Sequence, residues 1–489
     1  MINGPVLVTG ANGFIASRLI PRLLKGGYTV RVLARSPRTL EGRAWLPEVE
    51  VYAGSTSDEA SLAAALQGVH TAYYLVHNMS RGHGYVEIER QSARRFAEAA
   101  ALAGVQHIIY LGGLADPKDP HLAPHMRSRI ETGQILRLGK VPVTEFRAGV
   151  IAGAGSISFE MVRFLTECFP ILPGPLWLRN RAQPIASENV IDYLLSGLEK
   201  PEARGGIYEM GGPEQMPFGD VMLRYARHRG LKRYLFMLPG IPIGLMALIV
   251  DRLTPVPRPI ATALIGGLQS DSRVLDGAAQ RMFPEVQLLT FEQAIQIALS
   301  ELIPERLERV WVGRGQDAGN IRHEGFIVDY RSRTVNAPAE KVFASLMQMR
   351  GPRQWASMQW MWRLRGWMDR LVKGQATHAM AESNAHDVSD SMHPRELKVG
   401  AVLDYYEVEA LELDRLIRMR SLLRAPGSGW LEWRIDPEAA PEGTARLTQT
   451  AFFAPRGLPG FLYWLVVGPF HRMALRGLIE SIRKQSEAG

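Results

Sequence analysis

The chain has 489 residues, 46% of them hydrophobic and 22% charged. That is ordinary globular composition and too much chain for one compact core, so two or three domains are expected. The net charge of +8 is scattered and carried mostly by arginine. Without a lysine-rich block no nucleic-acid partner is expected, and the excess suits a phosphate-bearing cofactor or an anionic membrane surface. Cys168 is the single cysteine, which argues against a disulfide framework and a thiolate zinc site and for a reducing compartment, the cytoplasm.

Residues 6–16 read VLVTGANGFIA, an apolar strand running into Gly10, Gly13 and Ala16 and then into the helical pattern SRLIPRLLKGG. Glycines here permit a tight turn and close backbone approach, and the helix start behind them offers free N–H groups to a pyrophosphate. Between a strand and a helix, this spacing reads as a dinucleotide loop; a glycine-rich turn without ligand is the bland alternative. The chain opens directly into this strand with no charged-then-apolar leader, so no secretory signal is expected. The second strand, 28–34, ends at Arg35-Ser36-Pro37-Arg38. An acid at this point would bond a ribose 2′-hydroxyl, whereas a guanidinium clasps a 2′-phosphate. NADP is therefore expected and NAD is the alternative, Arg35 then being a solvated loop charge.

Val49–Tyr52 reads as a short strand and SDEASLAAALQG as a helix capped by Ser57 or Asp58. A buried strand follows at 70–77, a long helix at 85–105, a strand at 107–114, a helix at 127–139 and a strand at 143–153. Alternation of this kind requires right-handed crossovers and a parallel sheet. Residues 157–197 carry helical patterns and a proline-rich connection, FPILPGPLW; 205–214 resembles a late strand; 218–300 reads as mostly helical, with a proline-stiffened loop at 254–259. The apolar stretches 235–250 and 461–470 fall short of the roughly 20 residues a membrane span needs, so each is expected to be buried core or a surface-docking element.

Residues 303–324 have no clear period and are expected to be a linker. Beyond them come a strand (FIVDYRSRTVNA), a helix (APAEKVFASLMQM), a tryptophan-rich helical region, several strands and a long apolar closing helix, the order of an α+β domain. Seven of the ten tryptophans lie in this part. Trp360, Leu364, Trp367 and Leu371 share one helical face with Arg363, Arg365 and Arg370 between them. That face is read either as a lid or membrane-docking surface, or as plain core with snorkelling arginines. His378, His386 and His393 lack ligand spacing, so no metal is expected.

TGANGFIA, Arg35, AYYLVHNM (72–79), YLGGL (110–114) and MRSRIETGQILR (126–137) together resemble the NmrA-like branch of the atypical and extended short-chain dehydrogenase/reductases. NAPAEKVF (336–343) and RLTQTAFFAPRGLPGFLYW (446–464) resemble a domain of unknown function with the helix-grip (START-like, SRPBCC) fold. The resemblance implies an α/β Rossmann fold, a doubly wound parallel sheet, over residues 1–302. A helical substrate lobe at about 155–185 and 215–300 belongs to that part, the linker 303–324 follows, and an α+β helix-grip cavity domain occupies 325–489. It also implies that Thr9, Gly10, Asn12, Gly13, Phe14, Ile15, Arg35, Ser55, Leu75, Val76, His77, Gly112 and Arg129 line the cofactor. The family's usual Ser and Tyr-x-x-x-Lys set is missing. Gly112 or Gly113 stands at the serine position, His125 at the tyrosine and Arg129 at the lysine. His125 is the candidate proton donor, its free pKa lying near 6.5, with Arg129 on the ribose; a loop histidine in HLAPH is the alternative. An acid the family commonly places near the adenine is absent at Gly54-Ser55, and Asp58 is expected to cap a helix instead. Two functions follow. One is an NADP-dependent oxidoreductase of a hydrophobic acceptor (a quinone, isoprenoid or lipid) held with help from the C-terminal cavity. The other is a non-catalytic NADP sensor or scaffold with a lipid-like ligand. Peripheral contact with the inner face of the membrane is a further expectation.

Overall fold

A computed structural model describes residues 4–40, 43–77, 84–253, 256, 258–304, 318–323, 326–348, 397–403, 406–423, 425–437 and 443–488. The chain divides into two compact units, Met1–Arg314 and Gly315–Gly489.

The first unit begins with β1 (Val6–Thr9), α1 (Phe14–Lys25), β2 (Val30–Ala34), β3 (Glu50–Ala53), α2 (Glu59–Leu66), β4 (Thr71–Tyr74), α3 (Tyr85–Leu102), β5 (His107–Gly113), α4 (Pro124–Arg137) and β6 (Val143–Ala148). It continues with β7 (Ile151–Ala152), α5 (Ile157–Cys168), β8 (Ile171–Pro175), β9 (Arg181–Ala182), β10 (Ile185–Ala186), α6 (Ser187–Glu199) and β11 (Ile207–Met210). It closes with β12 (Met216–Pro217), α7 (Phe218–His228), β13 (Tyr234–Leu238), α8 (Ile243–Leu253), α9 (Arg258–Gly267), α10 (Ala278–Met282) and α11 (Phe291–Ser300).

Seven strands in the order β11-β6-β5-β4-β1-β2-β3 form one sheet in which every pair is parallel. Successive side chains of a strand face opposite layers, so Val6 and Val8 join Leu19, Ile20 and Leu194 on one side while Leu7 joins Leu62, Phe96 and Leu136 on the other. This is a Rossmann fold, and the order reverses between β1 and β4, where such sheets open a ligand crevice.

Two readings of the sequence need correction. The expected strand 143–153 is split: after Ala148 the chain leaves the sheet, and β7 pairs with β10. The proline-rich connection and the start of the apolar stretch 235–250 are strands, not connection and helix; β8 and β13 pair in parallel. Period-two alternation in β13 was hidden because both of its faces are apolar.

In the second unit, β14 (Ala318–His323), β15 (Phe326–Val335), α12 (Ala339–Gln348), β16 (Val402–Leu403), β17 (Tyr406–Glu412), β18 (Leu416–Ser421), β19 (Gly427–Asp436) and β20 (Ala445–Pro455) precede the 32-residue helix α13 (Gly457–Ala488). The sheet runs β14-β15-β20-β19-β18-β17-β16 and is antiparallel throughout. Val342 and Phe343 of α12 and Leu475, Ile479 and Ile482 of α13 bury one of its faces against Trp433, Leu447 and Ala451. The expected linker is too long: β14 takes residues 318–323 from it by pairing with β15. The tryptophan face at 360–371 and the three histidines at 378, 386 and 393 lie outside the described residues. Among the described residues no helix is long and apolar enough to cross a membrane.

Candidate functional site

Every site residue expected from the sequence lines one cavity of about 1150 Å³ in the first unit. β1 ends at Thr9, whose hydroxyl donates to the Tyr73 carbonyl (2.9 Å) and accepts from the Leu75 N–H (3.1 Å). That pair of bonds holds Leu75, Val76 and His77 beside the glycine turn. Gly10 sits at φ +69, and a Cβ there would lie 2.8 Å from the Leu75 carbonyl oxygen, so only glycine fits. The Gly13 N–H bonds to the Gly10 carbonyl at 2.8 Å, and a Gly13 Cβ would sit 3.1 Å from that oxygen. No side chain caps α1, whose first-turn N–H groups have no partner inside the helix. From behind, buried Arg43 donates to the Ala11 carbonyl at 2.9 Å, a support the sequence reading missed.

These features fit a dinucleotide: a turn stripped of side chains, an uncapped helix start, and Asn12, Phe14 and Ile15 around it. Arg35, exposed at the end of β2, stands on the cavity wall together with Ser36, Ser55 and Thr56. Asp271 is the one carboxylate among the described lining residues, and it is engaged, accepting from the Arg181 N–H (2.8 Å) and pairing with Arg273 (3.3 Å). Asp58 caps α2 by accepting from the Ser61 N–H at 3.1 Å, while Ser55, Thr56 and Ser57 line the cavity.

The corner where a Tyr-Lys pair would stand is built on α4. Tyr110 donates to the Arg129 carbonyl (2.8 Å) and Ser128 to the buried Glu89 (2.5 Å), which set the helix against β5 and α3. His125 lies in the first turn of α4 rather than in a loop, is buried, and contacts Gly267 at the end of α9. Burial first, and Arg129 second, push its pKa down to about 4. Neutral imidazole therefore lines the cavity at pH 7, its pKa well below the free value near 6.5, and any hydrogen bond from His125 comes from a neutral ring. Arg129 Nη2 lies 2.5 Å from His77 Nε2. Guanidinium only donates, so this nitrogen accepts and the His77 proton sits on Nδ1. Burial, with Arg129 adding to it, holds His77 well below the usual histidine range. A Cβ at Gly113 would lie 2.7 Å from the Met126 methyl and 3.0 Å from Arg129 Cδ, so a serine there would require both side chains to shift.

From this corner the cavity continues into the helical lobe between α5, α7, α8 and α9. Met161, Leu165, Leu172, Val221, Met246 and Leu264 are among the apolar side chains there. Ser156, Ser158, Ser270 and Ser272 add polar points near the junction. None of these serines carried a sequence signal. Ser272 is placed by tertiary bonds alone, from its hydroxyl to the Leu114 carbonyl (2.9 Å) and from its N–H to Arg181 (2.8 Å).

The second unit uses its tryptophans differently. Trp433 is in the core and Trp430, on the opposite face of β19, packs on Phe326 and donates to Glu409 at 2.9 Å. Trp464 stacks on Phe453 with centroids 5.0 Å apart.

Fold and site together define a nucleotide-binding Rossmann protein with an apolar annex. The NmrA-like family matches residues 3–160, and a family described as a protein of unknown function, DUF2867, matches 324–478. A (4-alkanoyl-5-oxo-2,5-dihydrofuran-3-yl)methyl phosphate reductase of Streptomyces griseus is 30% identical over 292 residues, 58% of this chain and 92% of that protein. Ceramide reductase of Caulobacter vibrioides is 26% identical over 253 residues, 51% and 78% of the two chains. Cinnamoyl-CoA reductase 1 of rice is 34% identical over 112 residues, a match that spans only 33% of its length. Among solved structures, triphenylmethane reductase from Citrobacter sp. aligns with a TM-score of 0.50 and 18% identity over 60% of this chain and 99% of that one. The chain belongs to the NmrA-like family of NAD(P)-binding proteins through its first unit.

Proposed function

We propose that the protein is an NADP(H)-dependent reductase of a hydrophobic acceptor such as a quinone, isoprenoid or lipid. One observation carries this reading: the cavity that begins at the glycine turn runs without interruption past His125 and Arg129 into an apolar lobe. Bound NADPH would supply the hydride, and the residues would supply its placement. Gly10, Gly13 and the start of α1 would hold the pyrophosphate, Arg35 the 2′-phosphate, and Arg129 the ribose hydroxyls. The neutral His125 ring would donate a hydrogen bond to the acceptor oxygen, where charge builds as hydride arrives. The reductase relatives support the class of reaction. The acceptor's apolar body would lie in the lobe of the first unit, so the C-terminal unit is not needed to line it. That unit would serve as a ligand-receiving module of helix-grip type.

NADPH oxidation followed at 340 nm with a short-chain quinone tests the reading. Turnover is expected, and Val162→Trp, which fills the lobe, should depress it while NADPH affinity holds. No oxidation with any hydrophobic acceptor, by protein that binds NADPH, would favour the sensor reading. The missing Tyr-Lys pair and the uncharged His125 ring motivate that alternative.

A further inference from the structure

β13 presents apolar side chains on both of its faces. Leu235 turns inward to the cavity, while Tyr234, Phe236 and Leu238 stand outward, 61%, 56% and 47% exposed. The register sets Tyr234 beside Ile171 and Phe236 beside Pro173, both also exposed. On α8, the next helix in the chain, Leu245 and Ile249 are also exposed. Ile249 also lines the cavity, so exposed apolar surface and the cavity meet on this helix. Soluble monomers seldom leave a contiguous apolar surface of this kind bare.

The chain on either side of β13 is predominantly basic, with Asp220 and Asp271 at the borders of the basic stretch. From Val221 to Ser270 the sequence carries Arg224, Arg227, Arg229, Lys232, Arg233, Arg252 and Arg258 against one acid, Asp251. Arg224 and Arg229 are matched by Glu214, Glu292 and Glu167. Arg227, Lys232, Arg252 and Arg258 are exposed. A second copy of this chain would bring the same positive fringe to a two-fold contact and be repelled. An anionic bilayer offers an apolar layer for the aromatic side chains and negative headgroups for the basic ones.

We propose that the outer face of β8 and β13, with the exposed face of α8, docks on an anionic phospholipid bilayer and opens the cavity to the acyl layer. The docking stands independently; only the delivery of an acceptor through it rests on the proposed reductase activity.

The test is co-sedimentation of the full chain with vesicles of phosphatidylcholine alone or mixed with phosphatidylglycerol. Binding is expected to the mixed vesicles only, weakening steeply as salt is raised. Phe236→Glu should lower the partition coefficient by at least about tenfold, with the melting temperature and NADPH affinity unchanged. The proposal is overturned if the wild type stays in solution with anionic vesicles at low salt. It is equally overturned if Phe236→Glu binds as well as the wild type, or if the wild type is a dimer that this substitution dissociates. Turnover of a water-soluble quinone is read in parallel. Turnover without vesicle binding overturns the docking alone, and vesicle binding without turnover supports the docking and overturns the reaction.

Discussion

At the scale of single residues, Arg35 and the buried histidines make the sharpest statements. Arg35 follows β2 with no acid in its place, so Arg35→Ala should weaken NADPH by about 1.5–3 kcal/mol, the worth of hydrogen bonds between charged groups, and leave NADH nearly unchanged. Calorimetric titration of both cofactors decides it, and equal affinities in the wild type would remove the assignment. His107 donates from Nε2 to Thr144, whose hydroxyl is committed to the Ala203 carbonyl; burial pushes its pKa down to about 3. Together with His125, at about 4, it stays neutral in the folded protein while the unfolded chain takes protons below about pH 6.5. Both folded values are depressed, so the stability is whole above that pH and is lost as pH falls toward 4. The expected slope is about 1.4 kcal/mol per pH unit per histidine. Urea unfolding at several pH values should show it, and His107→Gln should remove one histidine's share. A midpoint that does not move across this window contradicts the burial assigned to these rings.

At the scale of elements, the turn between β1 and α1 uses its two glycines for different ends. Gly10 is required by its left-handed backbone and by the Leu75 carbonyl 2.8 Å from where a Cβ would stand. Gly10→Ala should therefore cost about 1–3 kcal/mol of stability. Gly13 has an ordinary backbone (φ −84), so Gly13→Val should leave the circular dichroism spectrum intact and abolish NADPH binding, because the side chain would occupy the phosphate's place. Normal NADPH affinity in that variant would mean the phosphate site lies elsewhere. The motif was legible in the sequence because strand, glycines and helix are contiguous. The β8–β13 ribbon was not: its strands lie about sixty residues apart in sequence, and a run apolar on both faces has no period to read.

At the scale of the whole molecule, the described residues that line the cavity run from Thr9 to Ser272. The first unit has its own cores on both faces of the sheet and in the helical lobe. A 1–314 fragment should therefore fold, bind NADPH, and retain turnover of a short hydrophobic acceptor within about a factor of ten, since substrate contacts set that rate. A folded fragment with NADPH affinity but no turnover would show that the second unit completes the site.

The sequence by itself determined the strand–glycine–helix turn, the arginine at the end of β2 and the alternation that requires a parallel sheet, and it narrowed the α2 cap to Ser57 or Asp58. Each is written in backbone preferences and side-chain patterns over a few turns of chain. Only the tertiary structure brought His77 onto Arg129, 52 residues away, and set the protonation of His125, because burial is a property of what packs around a group. The same holds for the apolar lobe, whose walls come from α5, β8, α7, β13, α8 and α9. No single segment among them carries a mark of the cavity, which exists only where their apolar faces stop short of filling the space between them.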